Sequence, residues 1–301
     1  MRRQVGWVVA AVTVIGAVVS GCGGPSQAGS AVIVGSDAVP LELVQSRLDA
    51  VLARPELVAQ VTEQGGGPAD IARDIVTREV LHGLLEEQGG AAGIVISDAD
   101  VDAAIVERGG AEALLRSTFS DLPGLRDRVR DELIAAELAQ RSVAGLSVTA
   151  DLVAATSREE AQQQAEVLAA GGPEAEALFA ANPDTSVRDM VYGAVTQPDV
   201  AGTVLFGTPV GGTVLFQPDP QQASWIVFRV TDRRTDAPSD PAAAGQISQE
   251  QLVAIGERML QPVADSAGIR VNPRYGVWDP IPLRVVPEDQ MAGETLPPGL
   301  G

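Results

Sequence analysis

Apolar residues recur at helical spacing through the first half of the chain. From Leu41 onward they return every three or four positions behind Pro40, which suits the first turn of a helix. Ser97 caps a further helical pattern, another begins at Asp121, and residues 31–34 have the composition of a strand. The pattern predicts a helical array that consists of a strand at 31–34 and helices at about 41–54, 69–88, 98–108 and 121–144.

The pattern changes at Leu146, where loosely alternating residues replace the helical spacing. Capping boxes at residues 157–160 and 248–251 each mark the start of a helix, and Pro262 should kink the second. Residues 280–301 are rich in proline and glycine, and we expect most of them to be disordered. The other predicted elements are strands at 147–156, 204–206, 214–216 and 225–230, and a small helix at 174–181.

The N-terminus has the three-part layout of an export signal, with Arg2 and Arg3, an apolar run at residues 5–19, and small residues before Cys22. Residues 19–22 resemble the lipobox of bacterial lipoproteins, in which the cysteine receives a diacylglyceryl group and cleavage occurs just before it. An uncleaved anchor is the alternative, because the apolar run approaches the roughly 18 to 20 residues that span a bilayer. The small residues and the lone cysteine favour cleavage. Cys22 is therefore the predicted lipidation site of a protein that faces outside the cytoplasm on the cell membrane.

Charge and composition exclude several classes of function. The chain has 40 carboxylates and 21 cations, so it is not expected to bind nucleic acid by charge. All of the cations are arginine, and the absence of lysine excludes Walker-type phosphate loops, pyridoxal Schiff bases and the kinase ATP site. Because Cys22 is the only cysteine, no disulfide is expected within the mature chain.

Two candidate polar sites fail on inspection. His82 is the only histidine. The sequence contains no Gly-x-Ser-x-Gly nucleophile elbow for a hydrolytic triad, and a metal site would need further nitrogen or sulfur ligands beside His82. A structural role is therefore predicted. Asp98, Asp100 and Asp102 begin like a calcium loop, but the sixth and twelfth positions lack the required glycine and glutamate. These aspartates suit the first turn of a helix instead. We expect no metal and no cofactor.

Aromatic residues of the second half are the candidates for binding polypeptide. On a strand, Trp225 faces one way and Phe228 the other, so one face is expected in the core and the other is free to line a shallow apolar groove. The predicted peptide-binding residues are Trp225, Phe206, Phe228 and Tyr192.

The order of these parts resembles the SurA/PrsA-like foldases. Residues 31–37 leading into the Leu41 helix, residues 228–234 and residues 269–276 carry the resemblance, and the last segment is similar to the close of SurA-like lipoproteins from high-GC Gram-positive bacteria. The resemblance implies an α+β fold, with a mainly helical chaperone-type module and an inserted small parvulin-like α/β domain. Its implied domains are a signal peptide at 1–21, a tether at 22–30, a helical SurA-N-like module at 31–146, a parvulin-like domain at 147–236, a returning helix and closing segment at 246–279, and a Pro/Gly-rich tail at 280–301.

The chain departs from the parvulin isomerases where their catalytic histidines are expected. Neither residues 148–153 on the first strand nor residues 224–227 on the last contain a histidine. This favours a degenerate domain in a membrane-anchored extracytoplasmic chaperone-like lipoprotein that binds unfolded or extended exported polypeptides. Two alternatives stay open: an active peptidyl-prolyl isomerase with a diverged pocket, and a non-catalytic assembly or scaffold lipoprotein of the envelope.

Overall fold

The N-terminal part of the protein is a group of helices beside a small antiparallel sheet. The structure is a computed structural model that describes residues 29–219 and 221–298, so the predicted export signal and Cys22 lie outside the described residues. Strand β1 (Ser30–Val34) lies between β2 (Asp37–Pro40) and a late strand, β7 (Ile269–Val271). The helices that follow β2 are α1 (Leu41–Leu52), α2 (Pro55–Glu63), α3 (Pro68–Ala91), α4 (Asp98–Glu107), α5 (Ala111–Leu115) and α6 (Leu122–Ser142).

Helix α3 forms the centre of this part because its apolar residues return on successive turns. Ile71, Ile75 and Leu84 are at most 2% exposed and belong to one hydrophobic core with α1 and β1. Burying side chains of this size contributes about 1.5–3 kcal/mol each. Helix α6 packs against α3, and the chain later returns to pack a further helix against α6.

A five-stranded antiparallel sheet with the order β10-β5-β6-β3-β4 dominates the second half. Helices α7 and α8 cover one face, and α9, α10, α6 and a later helix, α12, cover the other. The elements from β3 to β6 are β3 (Ser147–Ala155), α7 (Arg158–Ala170), α8 (Gly172–Ala181), β4 (Ser186–Gly193), α9 (Pro198–Ala201), α10 (Val204–Gly207), β5 (Thr213–Phe216) and β6 (Trp225–Arg234).

The last part of the chain connects the helical part and the sheet. Helix α12 packs closely on α6 because Gly256 has no side chain, whereas a Cβ there would collide with the carbonyl oxygen of Ala135. The helix predicted from residue 248 is interrupted before Pro262, as expected for a proline that cannot continue the backbone hydrogen bonds. The elements are α11 (Pro241–Ala244), α12 (Gln249–Arg258), α13 (Gln261–Ala267), β7, β8 (Val277–Asp279), β9 (Arg284–Val286) and β10 (Gly293–Leu296).

The predicted α+β class is confirmed, but some local predictions are wrong or incomplete. Residues 204–206 form a helical turn and not a strand, because a three-residue apolar run has no period by which to distinguish the two. The structure also contains α2, α5 and β4, for which the sequence pattern gave no prediction. The predicted domain boundaries are not tested by these elements and stay predictions.

The expectation of a disordered tail is wrong for residues 280–298. Arg258 donates a 2.8 Å hydrogen bond to the carbonyl oxygen of Ile281, and the backbone N–H of Ala292 donates to Asp279 at 2.7 Å. Strand β10 then pairs with β5 along its whole length. Composition alone predicted disorder because these hydrogen bonds depend on partners distant in sequence.

Candidate functional site

Strand β4 forms one edge of the five-stranded sheet, and its apolar side chains are open to solvent. It pairs with β3 on one side, and no other strand of residues 29–219 and 221–298 pairs with it. Val187 is 51% exposed, Met190 40% and Val191 61%. An exposed edge strand offers unpaired backbone N–H and C=O groups to another extended chain, and most proteins block such edges.

A bulge blocks the first half of β4. The register with β3 shifts between Ala150 and Leu152, and Asp189 adopts a left-handed backbone with φ of 49°. The backbone N–H of Asp189 donates a 2.8 Å hydrogen bond to the carboxylate of Asp151, which holds the bulge in place. Bulges of this kind interrupt strand pairing, so the regular part of the edge is residues 190–193.

Arg188 adds a second block at the same place. Its guanidinium donates two hydrogen bonds to Glu176 of α8, at 2.6 and 2.8 Å, and lies 4.9 Å from the ring centre of Phe179. The pKa of Arg188 is raised mainly by the hydrogen bonds with Glu176, so the arginine keeps its charge. In the first half of β4, Arg188 is therefore held by its contacts with α8. Met190 and Val191 in the second half make no contact of this kind with the described residues.

A cavity of about 550 Å³ adjoins the open half of β4. It lies between the ends of β3, β4 and β6 and the segment that leads to α11, and Val191, Leu146 and Val195 supply apolar lining. Asp232 and Arg234 of β6 supply charge at the opposite side. The cavity has room for one or two side chains of a bound peptide, next to the strand edge where its backbone would pair.

Tyr192 is the sequence-predicted site residue that the structure places on this strand. It is half-buried against the core beneath the sheet, and burial raises the pKa of its hydroxyl, so the side chain stays neutral. Val187, Met190 and Val191 were missed by the sequence analysis. Their segment carries Arg188 and Asp189 in its middle, and the bulge destroys the alternation that would have indicated a half-exposed strand.

The other three predicted residues lie in hydrophobic cores. Trp225 is 8% exposed beneath α7, with the guanidinium carbon of Arg158 5.7 Å from its ring centre, and Phe206 and Phe228 are 3% and 2% exposed. Phe228 meets Phe216 edge to face at 6.2 Å. Both faces of β6 are thus covered, contrary to the expectation that one is open, because helices lie on both sides of the sheet. Peptide contact by these three side chains stays a prediction.

His82 lies in the helical part, between α3 and α6. Its Nδ1 is 2.9 Å from Asp131, and this hydrogen bond is the main reason why the pKa of His82 is raised to about 9. A histidine that stays protonated at neutral pH is a poor general base. Its role in the structure is an ion pair that joins two helices.

No helix of the described residues has the length and apolar character needed to cross a membrane. The same residues contain no group of three or more histidine, cysteine, aspartate or glutamate side chains that is placed to hold a metal ion.

Comparisons with known proteins give likenesses of structure alone. No protein-family model matches the chain, and no curated protein matches its sequence. Among solved structures, the foldase PrsA of Lactococcus lactis is similar at 9% identity and a TM-score of 0.26, over 81% of this chain and 95% of that one. PrsA of Streptococcus pneumoniae is similar at 13% identity and a TM-score of 0.24, over 68% of this chain and 88% of that one.

A third similar structure belongs to work on PEB4 and Cj1289, two SurA-like chaperones of Campylobacter jejuni. It has 11% identity and a TM-score of 0.23, over 81% of this chain and 98% of that one. With TM-scores below 0.5, these matches assign no role to any residue of this chain. Two of the three similar structures are foldases, and the third belongs to work on SurA-like chaperones.

Proposed function

We propose that this protein is a chaperone-like lipoprotein that binds extended segments of exported polypeptides at the open half of β4. The observation that carries the proposal is an unpaired strand edge, at residues 190–193, that presents apolar side chains beside a cavity. A bound segment would add a sixth strand to the sheet. Backbone pairing tolerates many sequences, while alternate side chains reach the cavity or the apolar residues of the edge.

Binding at this edge is expected to be weak and reversible. The open half of β4 offers about three outward backbone hydrogen bonds at about 1 kcal/mol each, because the carbonyl oxygen of Gly193 already accepts from the backbone N–H of Gln197. Met190 and Val191 are already partly buried, so covering their remaining exposed surface adds about 1 kcal/mol for each side chain. Association costs about 4–15 kcal/mol, which offsets most of this gain. Weak affinity suits a protein that must release its clients.

The packing of the sheet supports binding over catalysis. Val148 and Ala150 of β3, like Phe228 and Val230 of β6, face a core that α6 and α12 complete, so helices fill this face of the sheet. Within the described residues the single histidine is His82 on α3, outside the sheet. The cavity beside β4 has no histidine in its lining, so an isomerase with a diverged pocket would need different chemistry there, and we do not favour that alternative.

The position of the protein in the cell is the second part of the proposal. The sequence around Cys22 supports export and lipidation, which would hold the protein on the outer face of the cell membrane. With a formal net charge of −19, the chain is repelled by anionic headgroups, so the acyl chains would have to supply the attachment.

A matched pair of substitutions tests the peptide site. Val191→Asp places a charge at the open half of β4, and Val106→Asp makes the same change on α4, where Val106 is 73% exposed. We expect Val191→Asp to weaken binding of a labelled extended apolar peptide at least about tenfold, measured by fluorescence anisotropy, because a buried charge loses its hydration. Val106→Asp should bind like the original protein. Unchanged binding in Val191→Asp would refute the β4 site.

A further inference from the structure

A second cavity, of about 540 Å³, lies between α3, α4, α6 and α12. Three arginines from three different elements line it: Arg78 on α3, Arg108 at the end of α4, and Arg128 on α6. Three glutamates, Glu132, Glu250 and Glu257, line the same cavity, so its formal charges are balanced. What matters is therefore whether each arginine has a partner.

Two of the arginines share one carboxylate as their hydrogen-bond partner. Arg128 Nε donates to Glu132 at 2.8 Å, and Arg108 donates to the other carboxylate oxygen. Burial alone would raise the pKa of Glu132, but the hydrogen bonds from both arginines outweigh it and lower the pKa. Glu132 is therefore a fixed anion, and this trio leaves one positive charge in excess.

Arg78 and Glu257 face the same cavity without satisfying each other. Their nearest atoms, Arg78 Nη1 and Glu257 Oε1, are 3.8 Å apart, which is too long for a hydrogen bond. Arg78 Nε is buried without a partner among the described residues. Burial raises the pKa of Glu257, and the charge of Arg78 only partly opposes that effect. Unsatisfied groups of this kind destabilise a fold unless a ligand or water completes them.

The incomplete pairing of Arg78 and the apolar lining select the ligand. Glu132, Glu250 and Glu257 balance the three arginines in formal charge, so it is the guanidinium of Arg78, without a hydrogen bond to Glu257, that favours a single carboxylate. Val253 and Ala254 of α12 supply an apolar wall. Glu250, exposed at the rim, would repel a ligand with several negative charges. A guanidinium fork fits both oxygens of a carboxylate.

We propose that this cavity binds a carboxylate group attached to an apolar body, with Arg78 as its principal donor. A peptide C-terminus and a small carboxylic acid share this chemistry. The site is built by other elements than β4, so it does not depend on the peptide binding proposed there.

The first experiment compares two forms of one labelled apolar tetrapeptide, with a free and with an amidated C-terminus, by fluorescence anisotropy on the intact protein. We expect the free acid to bind at least about tenfold more tightly, since a hydrogen bond to a charged group is worth that factor. Arg78→Gln should abolish the difference. Arg116→Gln, which removes a 67% exposed arginine elsewhere, should preserve it. Equal binding of acid and amide by the original protein would overturn the proposal.

Glu257→Gln provides a test of opposite sign. It removes the carboxylate that competes for Arg78, so the free acid should bind more tightly. A purely structural Arg78–Glu257 pair would instead give weaker binding in both variants.

Displacement of the labelled peptide distinguishes the two sources of the carboxylate. Displacement by propionate would assign the site to small carboxylic acids. If propionate fails and an unlabelled free-acid peptide displaces the label, the site binds chain termini. Equally strong displacement by inorganic phosphate would overturn the preference for carboxylate.

Discussion

The two edge strands of the five-stranded sheet, β10 and β4, differ in their side-chain contacts with the neighbouring helices. Strand β10 at one edge is joined along its length: Leu296 packs on the core beneath α7, and Glu294 accepts 2.9 Å hydrogen bonds from Arg158 and Gln162 of that helix. Strand β4 at the other edge has its ion pair to a helix in its first half, at Arg188, while Tyr192 in its second half packs on the core beneath the sheet. Both are edge strands, but polar side-chain contacts with a helix reach the middle of β10 and only the first half of β4.

Both edges use the same chemistry, which makes the difference informative. Each has an arginine that pairs with a glutamate and lies over an aromatic ring: Arg158 over Trp225 near β10, and Arg188 over Phe179 near β4. At β10 the contact is made by Glu294, the second residue of a four-residue strand, so no residue of the strand is more than two positions from it. At β4 the contact lies before the bulge, so residues 190–193 gain nothing from it. The position of the arginine–glutamate pair along the strand, and not its strength, leaves the second half of β4 open.

Gly293→Val is expected to have the largest effect on stability, because it disrupts the pairing of β10 with β5. A side chain at this position would collide with the carbonyl oxygen of Leu215 on β5, so β10 could not pair. We expect a loss of about 3 kcal/mol or more in the free energy of unfolding, measured by urea denaturation. Gly83→Ala is the control, because no atom lies within 4 Å of the new Cβ in α3. That change should stabilise the protein by about 0.5–1 kcal/mol. Unaltered stability in Gly293→Val would contradict the pairing of β10.

Arg158→Ala and Arg188→Ala compare the two anchors directly. Each removes a partly exposed ion pair and a cation–π contact, and ion pairs with this exposure contribute little to stability. We expect each to lower the free energy of unfolding only slightly. Hydrogen exchange should locate the loss differently: across all of β10 for Arg158→Ala, but only within residues 186–189 for Arg188→Ala. Faster exchange throughout β4 in Arg188→Ala would show that its two halves are not independent.

The sequence predicted the buried elements of the molecule better than the exposed edge strand β4. Helices α3 and α6 and strand β6 were found because each buries a face of regular period, as in Ile71, Ile75 and Leu84. Strand β4 was missed because an edge strand with a bulge buries little and loses its alternation. For the same reason, apolar character alone pointed to Trp225 and Phe228, which fill cores, and not to Met190 and Val191, which are exposed. Partners distant in sequence decide which apolar residues stay uncovered.

Met190→Lys should affect function without affecting stability. Met190 is 40% exposed on the open half of β4, so the new side chain can reach solvent and the free energy of unfolding should change by less than about 0.5 kcal/mol. Lysine on an edge strand discourages pairing with another chain. We therefore expect binding of an extended apolar peptide to fall while urea denaturation stays the same. Lost stability together with lost binding would indicate that Met190 is part of the fold and not of a binding surface.

The smallest expected effect is a dependence of β10 on pH. The hydrogen bond from Arg158 lowers the pKa of Glu294 below its ordinary value of 4.5. A carboxyl group whose pKa is lower in the folded state stabilises that state above the ordinary pKa, and the contribution is lost as the pH falls through the folded-state value. Hydrogen exchange, corrected for its intrinsic dependence on pH, should therefore show β10 losing protection below about pH 4.5. Glu294→Gln should remove this dependence, because an amide does not titrate in that range. If β10 lost protection equally in Glu294→Gln, the acid sensitivity would come from other carboxylates, and the closure of this edge would rest on its backbone pairing with β5 and not on its charged anchor.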